Sequence, residues 1–500
     1  MNTSPLAQSV FDLAHATHSM TDADLGQPWA WGPHEEGVRF ALLGTCHELR
    51  DLAARLAHLR AQDGRPPTAA QRILGQYHAA YRDLQAILLG VTDELYGQEP
   101  AAGEWPLRYV LGHAAATERH FFTLVHYGLE RQRDGGERPT RLPDGQTDRV
   151  VGPRSDFIEI MENQPMTPML VFYDHLHQRA LREFATMTDA ELEGKSVWWE
   201  NIEYPLRHRL HRFEMHLRQH TVQAEKTLAL LNQPPNEAKR LLRHVYNALA
   251  EVEAATFGAD GLGADEQVAI AATIRARAEE VRQVVAQARA MIAAVQSNGL
   301  PEIQTLLAAN PKLAKATSQS GVSAVLIATY YGHPEAAQAL IASGLELDIF
   351  EAAATGRLDT VQAWVNEWEP LKGEYNVDGF YPLGLACFFG HEATALWLIE
   401  KGADVNQVAK NRQRVRPIHA TAANGNLTVL KALLEKGAEV NAKQEGDFTA
   451  LHEAAHTGNL AMARLLLEYG ADKTAVASDK TPYQLAVEKE HTAVADLLAP

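Results

Sequence analysis

The segment DFTALHEAAHTGNLAMARLLLEYGAD, residues 447–472, decides the fold of the C-terminal part of the chain. Its apolar residues recur at helical spacing on both sides of the sequence HTGN, which predicts two short helices joined by a turn. Gly470, near the end of the segment, is the residue type that ends a helix in the left-handed conformation. The segment therefore predicts one helix–turn–helix unit that closes with a glycine turn.

The same unit repeats along the chain. The turns EKGADVNQ, EKGAEVNA and EYGADKTA place Gly402, Gly437 and Gly470 at steps of 35 and 33 residues. A second set of glycines, in the turn between the two helices of each unit, follows the same steps: Gly390, Gly425 and Gly458. Because both sets of glycines recur at the same steps, we expect a stack of helical repeats.

The unit at 447–472 resembles the ankyrin repeat, and weaker units extend the resemblance from about residue 287 to 500, about six units including caps. The unit GVSAVLIATYYGHPEAAQALIASG keeps the helices but lacks the Thr-Pro-Leu-His opening of that family. Gly356 also follows Gly332 by only 24 residues, so one connection is shortened. The resemblance implies an α-solenoid whose concave surface binds a partner protein, here an unknown one.

The first 286 residues show helical periodicity interrupted at Pro- and Gly-rich points. The span RDGGERPTRLPDGQTDRVVGPRSD, ending at residue 156, is rich in Pro, Gly and charge and predicts a long connection without a packed element. The periodicity predicts helices near 5–19, 35–60, 68–94, 105–131, 156–187, 205–232, 236–257 and 264–297.

Composition limits the classes of function. The net charge of −17 disfavours phosphate binding, so we expect no nucleic-acid partner. The first residues lack the basic and apolar parts of a signal peptide, and no apolar run reaches the length of a membrane span. The two cysteines, Cys46 and Cys387, fall in different predicted domains, which indicates a reducing compartment. We expect a cytoplasmic protein without a membrane partner.

The segment RHRLHRFEMHLRQHTVQAEKTL, residues 207–228, places His216 and His220 four residues apart. On a helix such a pair lies on one face, with Cβ atoms about 5–6 Å apart, close enough to bind one cation. The spacing alone is not decisive, since random placement of 22 His in 500 residues produces about one such pair. The other pair, His452 and His456, lies in the ankyrin-like unit, where the resemblance assigns His452 to hydrogen bonds of the opening turn.

A third histidine lies on an earlier helix. The segment GEWPLRYVLGHAAATERHFFTLV places Pro106 in the first turn of a helix, where proline is tolerated, and His113 beside the apolar stripe of that helix. His216 and His220 border the apolar stripe of their own helix. The three side chains can therefore point into one end of a helical bundle.

A Trp before a helix with an inward His, a long second connection and HxxxH on a fourth helix together resemble the DinB-like family of four-helix bundles. The resemblance covers about residues 68–232 and implies that His113, His216 and His220 bind a divalent metal, such as Zn, Ni or Fe. The remaining segments are interpreted as an N-terminal helical extension, 1–67, and a helical connector, 233–286. The expected fold is thus all-α: an extended bundle followed by an ankyrin-repeat solenoid.

The DinB-like resemblance also implies a function. Characterised relatives include transferases and isomerases that use a low-molecular-weight thiol, so a metal-bound thiol attacking an electrophile is the leading enzymatic hypothesis. No catalytic or thiol-binding residue is identified by spacing. The alternative is a non-enzymatic scaffold with a vestigial metal site, in which the ankyrin array binds the partner.

Other residues near the end of the bundle are expected to be structural. His120 lies two turns, roughly 10.5 Å, from His113, too far to share an ion. Trp198 and Trp199 are expected to pack at the bundle mouth, with a substrate platform as the alternative. A basic face is expected to be solvated, although an arginine there could receive a substrate carboxylate; it comprises Arg207, His208, Arg209, His211 and Arg212.

Overall fold

The computed structural model describes residues 4–196 and 202–500. In these two ranges the chain forms α-helices and short 3₁₀ helices, and no β-strand is present. The chain divides into two compact units, Met1–Ala286 and Gln287–Pro500. The predicted all-α fold class is confirmed.

The first unit is built from helices α1 to α12 and the first part of α13. Several begin at residues that suit a helix start: the hydroxyl of Thr68 accepts a hydrogen bond from Gln71 N (3.3 Å), and the Gln71 side chain accepts one from Thr68 N (3.1 Å). The helices are α1 (Pro5–Thr17), α2 (Asp22–Leu25), α3 (Arg39–Gln62), α4 (Ala69–Ile87), α5 (Asp93–Gly97), α6 (Leu107–Arg133), α7 (Gln146–Val151), α8 (Arg154–Asn163), α9 (Met166–Phe184), α10 (Asp189–Glu193), α11 (Leu206–Leu230), α12 (Glu237–Ala255) and α13 (Ala264–Gln296).

Four of these helices form a bundle. Helix α11 packs against α4 and α6, and α9 packs against the same two helices. The bundle core contains Phe121 and Phe122 of α6, Phe184 of α9 and Phe213 of α11, each no more than 1% exposed. Burying each such side chain contributes about 1.5–3 kcal/mol, so this aromatic layer is a main source of bundle stability.

Two predictions about the bundle helices are wrong. A single helix over 156–187 was expected, but Gln164 is extended (φ −97°, ψ 157°) and separates α8 from α9. The cause is Pro165, because a proline disfavours helical backbone at the residue before it. The connection before α8 was expected to contain no packed element, yet it forms the short helix α7, which begins after Gly145 in a left-handed conformation.

The N-terminal extension and the connector share a second apolar core. It joins α1 and α3 with α12 and the first part of α13, and contains Leu13, Leu49, Leu249 and Ile274, all fully buried. Helix α12 packs against both α3 and α4. The bundle and this second core are therefore two layers of one unit, with α4 between them.

A buried polar network lies between α4, α9 and α12. The carboxylate of Glu253 accepts hydrogen bonds from Arg82 Nη2 (2.5 Å) and Nε (2.9 Å), and its Oε2 atom is 2.7 Å from His78 Nε2. His78 Nδ1 is 2.8 Å from Nε2 of His177. Burial alone raises the pKa of Glu253, but Arg82 and His78 outweigh it and lower the pKa to about 2. Glu253 is therefore ionised and compensates the buried guanidinium.

A second buried carboxyl lies in the bundle core. Glu118 is fully buried and accepts hydrogen bonds from the hydroxyl groups of Tyr77 and Tyr173, both at 2.5 Å. Burial raises the pKa of Glu118 to about 8, although the two hydroxyl groups lower it in part. The group is therefore protonated at neutral pH.

The titration of Glu118 predicts a pH dependence of stability. The pKa of Glu118 in the folded protein, about 8, exceeds the ordinary 4.5. Its contribution to the free energy of unfolding is therefore complete below pH 4.5 and is lost as the pH rises through 8. The free energy of unfolding of the wild type should fall, relative to Glu118→Gln, by up to about 1.4 kcal/mol per pH unit in that window. Urea unfolding of both proteins across the window measures this; parallel curves would contradict it.

The second unit consists of the last part of α13, helices α14 to α26 and three short 3₁₀ helices at Pro311–Lys315, Glu369–Gly373 and Glu445–Asp447. The α-helices are α14 (Leu300–Ala309), α15 (Ala324–Tyr330), α16 (Pro334–Ala342), α17 (Ile349–Ala354), α18 (Leu358–Glu367), α19 (Pro382–Phe388), α20 (Glu392–Glu400), α21 (Pro417–Asn424), α22 (Leu427–Glu435), α23 (Ala450–Thr457), α24 (Leu460–Glu468), α25 (Pro482–Glu488) and α26 (Thr492–Leu498).

From α15 onward these helices form antiparallel pairs that stack in chain order, so each pair packs against the next. The stack buries one continuous apolar core. The three predicted turn glycines have positive φ of 76°, 88° and 87°, as expected for a left-handed helix end: Gly402, Gly437 and Gly470. Gly458 ends α23 at φ 70°, and a Cβ atom there would lie 2.6 Å from the ring of His491.

The predicted role of His452 in the opening turn is confirmed. Its ring is fully buried, and Nδ1 accepts a hydrogen bond from Thr449 N at 3.3 Å. Nε2 lies 3.3 Å from the carbonyl oxygen of Lys480 in the following turn. His419 makes the equivalent contacts with Arg416 N and the Ala442 carbonyl oxygen. Both nitrogens of His452 are thus engaged within the repeat.

None of the helices in the described ranges has the length and apolar character needed to cross a membrane. Cys46 and Cys387 are both buried free thiols.

Candidate metal centre

Helices α6 and α11 position the three histidines. They pack against each other along the bundle, and two contacts hold the start of α6 beside the end of α11. The hydroxyl of Thr227 donates to the carbonyl oxygen of Trp105 (3.1 Å), and Lys226 Nζ is 2.6 Å from Glu104 Oε1. The helices are therefore antiparallel, which brings the second turn of α6 level with the middle of α11.

The three predicted histidines come together at this level. One ring nitrogen from each of His113, His216 and His220 lies within 4.8 Å of the other two. The ring centroids are 4.4 Å apart for His216 and His220, 4.8 Å for His113 and His220, and 5.4 Å for His113 and His216. Three imidazoles from two helices thus converge on one point.

The protonation of His220 is set by a neighbour. Its Nδ1 atom lies 2.9 Å from Oε1 of Gln223, so Nδ1–H donates and Nε2 keeps its lone pair. This Nε2 atom faces Nε2 of His216 at 3.1 Å. When both rings are neutral, one N–H hydrogen lies between the two Nε2 atoms. A cation bound between them would take the place of that hydrogen.

The electrostatic environment keeps two of the rings neutral. Burial, together with His220, His113 and Arg212, lowers the pKa of His216 to about 3. Burial also lowers the pKa of His220, although the hydrogen bond with Gln223 raises it in part. Because metal ligation requires neutral imidazole, both side chains are in the binding form at neutral pH.

The donor set fits a divalent cation. An ion bound tetrahedrally at about 2.0–2.1 Å from each nitrogen holds two nitrogens about 3.3 Å apart, close to the 3.1 Å between the two Nε2 atoms. His216 Nδ1 is buried and has no hydrogen-bond partner in the described part of the chain, so Nε2, which faces His220, is the nitrogen placed to bind a cation. Three nitrogen ligands leave a fourth position open, as in reactive zinc sites.

The site opens on one side. His216 and His220 are 9% and 5% exposed, whereas His113 is exposed at the edge of the bundle. The ring of Trp105 lies 5.5 Å from that of His113 in an edge arrangement, and Trp105 and Tyr109 are exposed aromatic residues on the same side. The cluster therefore faces solvent on the side of His113.

The other predicted residues occupy different positions. His120 is not part of the cluster; burial, and then Arg209, lowers its pKa. His208 is exposed and stacks on Tyr204 at 4.2 Å. The expectation that Arg209 is solvated is wrong, because its guanidinium is buried and donates to Ser196 Oγ (3.3 Å) and the Ile202 carbonyl oxygen (3.1 Å). Trp198 and Trp199 lie outside the described residues.

Two features of the first unit escaped the sequence reasoning. Gln223 lies three residues after His220 and therefore on the same helix face, a spacing that could have indicated its hydrogen bond. A cavity of about 1050 Å³ between α1, α4, α9 and α12 is lined by Phe11, Tyr81, Arg82 and Glu253 among others, and none of the three clustered histidines lines it. No sequence pattern indicated this cavity.

Comparison with known proteins finds a family match within each of the two units. A family model described as the DinB superfamily matches residues 76–224, and one described as ankyrin repeats matches in three copies over 349–444 and 418–500. The chain is also similar to Alpha-latrocrustotoxin-Lt1a of Latrodectus tredecimguttatus, with 40% identity over 68 residues. That similarity covers 13% of this chain and 5% of the toxin, so the chain matches only a small share of the length of this relative.

Proposed function

Because the chain contains a DinB superfamily domain at residues 76–224 followed by ankyrin repeats at 349–500, we propose that the first unit binds a divalent metal and acts as a low-molecular-weight-thiol-dependent transferase. The ankyrin array binds a partner protein. The observation that carries the proposal is the convergence of His113, His216 and His220 within 4.8 Å.

Each residue of the centre has a role in the proposal. The three imidazoles hold the ion, and Gln223 keeps His220 in the tautomer whose Nε2 is free to bind. A divalent ion in such a site lowers the pKa of a bound thiol, so that its sulfur is an anion near neutral pH. Trp105 and Tyr109 form an exposed aromatic border against which the apolar part of a substrate can pack.

The array offers a surface for the partner. A groove of about 940 Å³ is lined by Tyr330, Tyr331, Phe380 and Phe388 among others. Tyr331 and Phe388 are 57% and 52% exposed, more than a repeat core requires. Concave surfaces of stacked repeats bind proteins through such residues. The groove serves partner binding in the proposal above and in the second candidate, a scaffold without enzymatic activity. Metal-free wild-type protein that still retains partners in a pull-down would favour the scaffold.

Removal of one ligand tests the metal site. His216→Ala and His113→Ala should each weaken metal binding by more than about 100-fold, because loss of a residue that only orients a ligand already costs 10- to 100-fold. Competition with a chelator and metal analysis of the purified variants measure this. The control is His456→Ala, an exposed member of the other histidine pair with the same spacing, which should keep full occupancy. Full occupancy in His113→Ala would exclude the three-histidine site.

A further inference from the structure

Three arginines at the start of α11 have different surroundings. Arg207 is exposed and pairs with Glu193 at 3.0 Å, and Arg209 is buried with two oxygen acceptors. Arg212 is half-buried, and within residues 4–196 and 202–500 its guanidinium has neither a hydrogen-bond acceptor nor an ion-pair partner. The nearby carboxylate of Glu214 is 2.7 Å from Arg218 instead. Among the described residues, no acceptor therefore occupies the donors of Arg212.

Arg212 lies directly beside the histidine cluster. It precedes His216 by one helical turn, so the two Cβ atoms are about 5–6 Å apart. Its Cζ atom is 5.6 Å from the centre of the Phe121 ring, and that ring is 5.6 Å from the ring of His216. Phe121 thus holds the guanidinium next to the candidate metal centre.

The guanidinium of Arg212 is half-buried, and its nitrogen atoms are not among the buried polar atoms without a partner, so water reaches them and a ligand carboxylate can displace that water. Its planar donors match the two oxygens of a carboxylate, and a charge-assisted pair of this kind is stronger than a neutral hydrogen bond. The aromatic border formed by Trp105 and Tyr109 lies toward the start of α6, whereas Arg212 lies toward its middle, beside Phe121. The histidines are therefore flanked by an apolar side and a cationic side.

We propose that Arg212 binds the carboxylate of the ligand whose thiol reaches the histidine cluster, and so selects anionic thiols over neutral ones. The inference rests on the proposed function and adds the class of thiol. The sequence predicted that an arginine of the basic face could bind a substrate carboxylate. Of these arginines we assign the role to Arg212, because Arg207 and Arg209 already have partners.

The test uses full-length protein loaded with Co²⁺, whose near-ultraviolet absorption increases when a thiolate binds. The probes are 3-mercaptopropionate and its neutral counterpart 2-mercaptoethanol. In the wild type the carboxylate probe should bind about tenfold more tightly than the neutral one, the size expected for a hydrogen bond to a charged group. Arg212→Gln should abolish this preference, with cobalt content and 2-mercaptoethanol affinity unchanged, and Arg212→Lys should restore part of it.

Arg218→Gln is the matched control, since Arg218 is an exposed arginine of the same helix that pairs with Glu214; it should keep the preference. Equal affinity of the two probes in the wild type would overturn the inference while leaving the metal-bound thiol intact. Loss of cobalt in Arg212→Gln would show a structural role and overturn it as well. If neither probe changes the cobalt spectrum, the proposed thiol function fails, and the inference fails with it.

Discussion

Glu253→Ala is expected to lower the free energy of unfolding of the first unit by about 3–5 kcal/mol, because it leaves a buried charge without its partner. Arg82 is 5% exposed and has two hydrogen bonds to Glu253, and His78 is 2% exposed with one ring nitrogen against the same carboxylate. Hydrogen exchange of α4 and α12 in the full chain at increasing urea concentration measures the loss.

The pH dependence of this effect has a defined sign. The pKa of Glu253 is about 2 in the folded protein, and the ordinary value is 4.5. Its contribution to the free energy of unfolding is therefore present above pH 4.5 and is lost as the pH falls toward 2. The matched control is Glu251→Ala on the same helix. Its ion pair with Arg50 spans 3.8 Å and is about half exposed, so we expect a change within about 0.5 kcal/mol. Equal effects of the two variants would refute the role of the network.

Leu466→Asp is expected to destabilise the repeat array by about 4 kcal/mol or more, because it buries a carboxylate without a partner. Leu466 is fully buried in α24, within the core of the stack. Each repeat packs only on its neighbours, so hydrogen exchange should increase first in α23 to α26. Leu465, its neighbour in the same helix, is half-buried, so Leu465→Asp should give a smaller effect.

Arg464→Asp on the same helix is the control for charge and helix propensity, since Arg464 is exposed. It should leave exchange in the array nearly unchanged. A Leu466→Asp protein with wild-type exchange throughout α23 to α26 would show that the inward face of α24 is assigned incorrectly.

The repeat array was the most predictable part of the fold, because its signal is periodic. Gly402, Gly437 and Gly470 mark helix ends where only glycine adopts the left-handed conformation easily. The break at Pro165 was also visible in the sequence but was outweighed by the apolar periodicity on both sides of it. Helix α7 could not be predicted, since six residues carry too little periodicity to detect.

The convergence of the three histidines could be predicted from the sequence, whereas their surroundings could not. His216 and His220 follow from one helical spacing, and His113 follows from the order of motifs along the chain. The burial of Arg209 depends on Ser196 and Ile202 in the preceding segment, and no helical pattern describes such contacts. That Arg212 has no ion-pair partner among the described residues likewise depends on where the acidic side chains point, as when Glu214 pairs with Arg218, and only the three-dimensional arrangement determines this.

The most direct test of the account is the metal content of purified wild-type protein, measured together with its thermal unfolding before and after addition of Zn²⁺ or Ni²⁺. We expect one ion per chain and an unfolding transition of the first unit that rises with added metal, since an ion at 100 times its dissociation constant stabilises the folded state by about 2.7 kcal/mol. Protein without stoichiometric metal, whose unfolding does not respond to either ion, would contradict the assignment of His113, His216 and His220 as a metal centre.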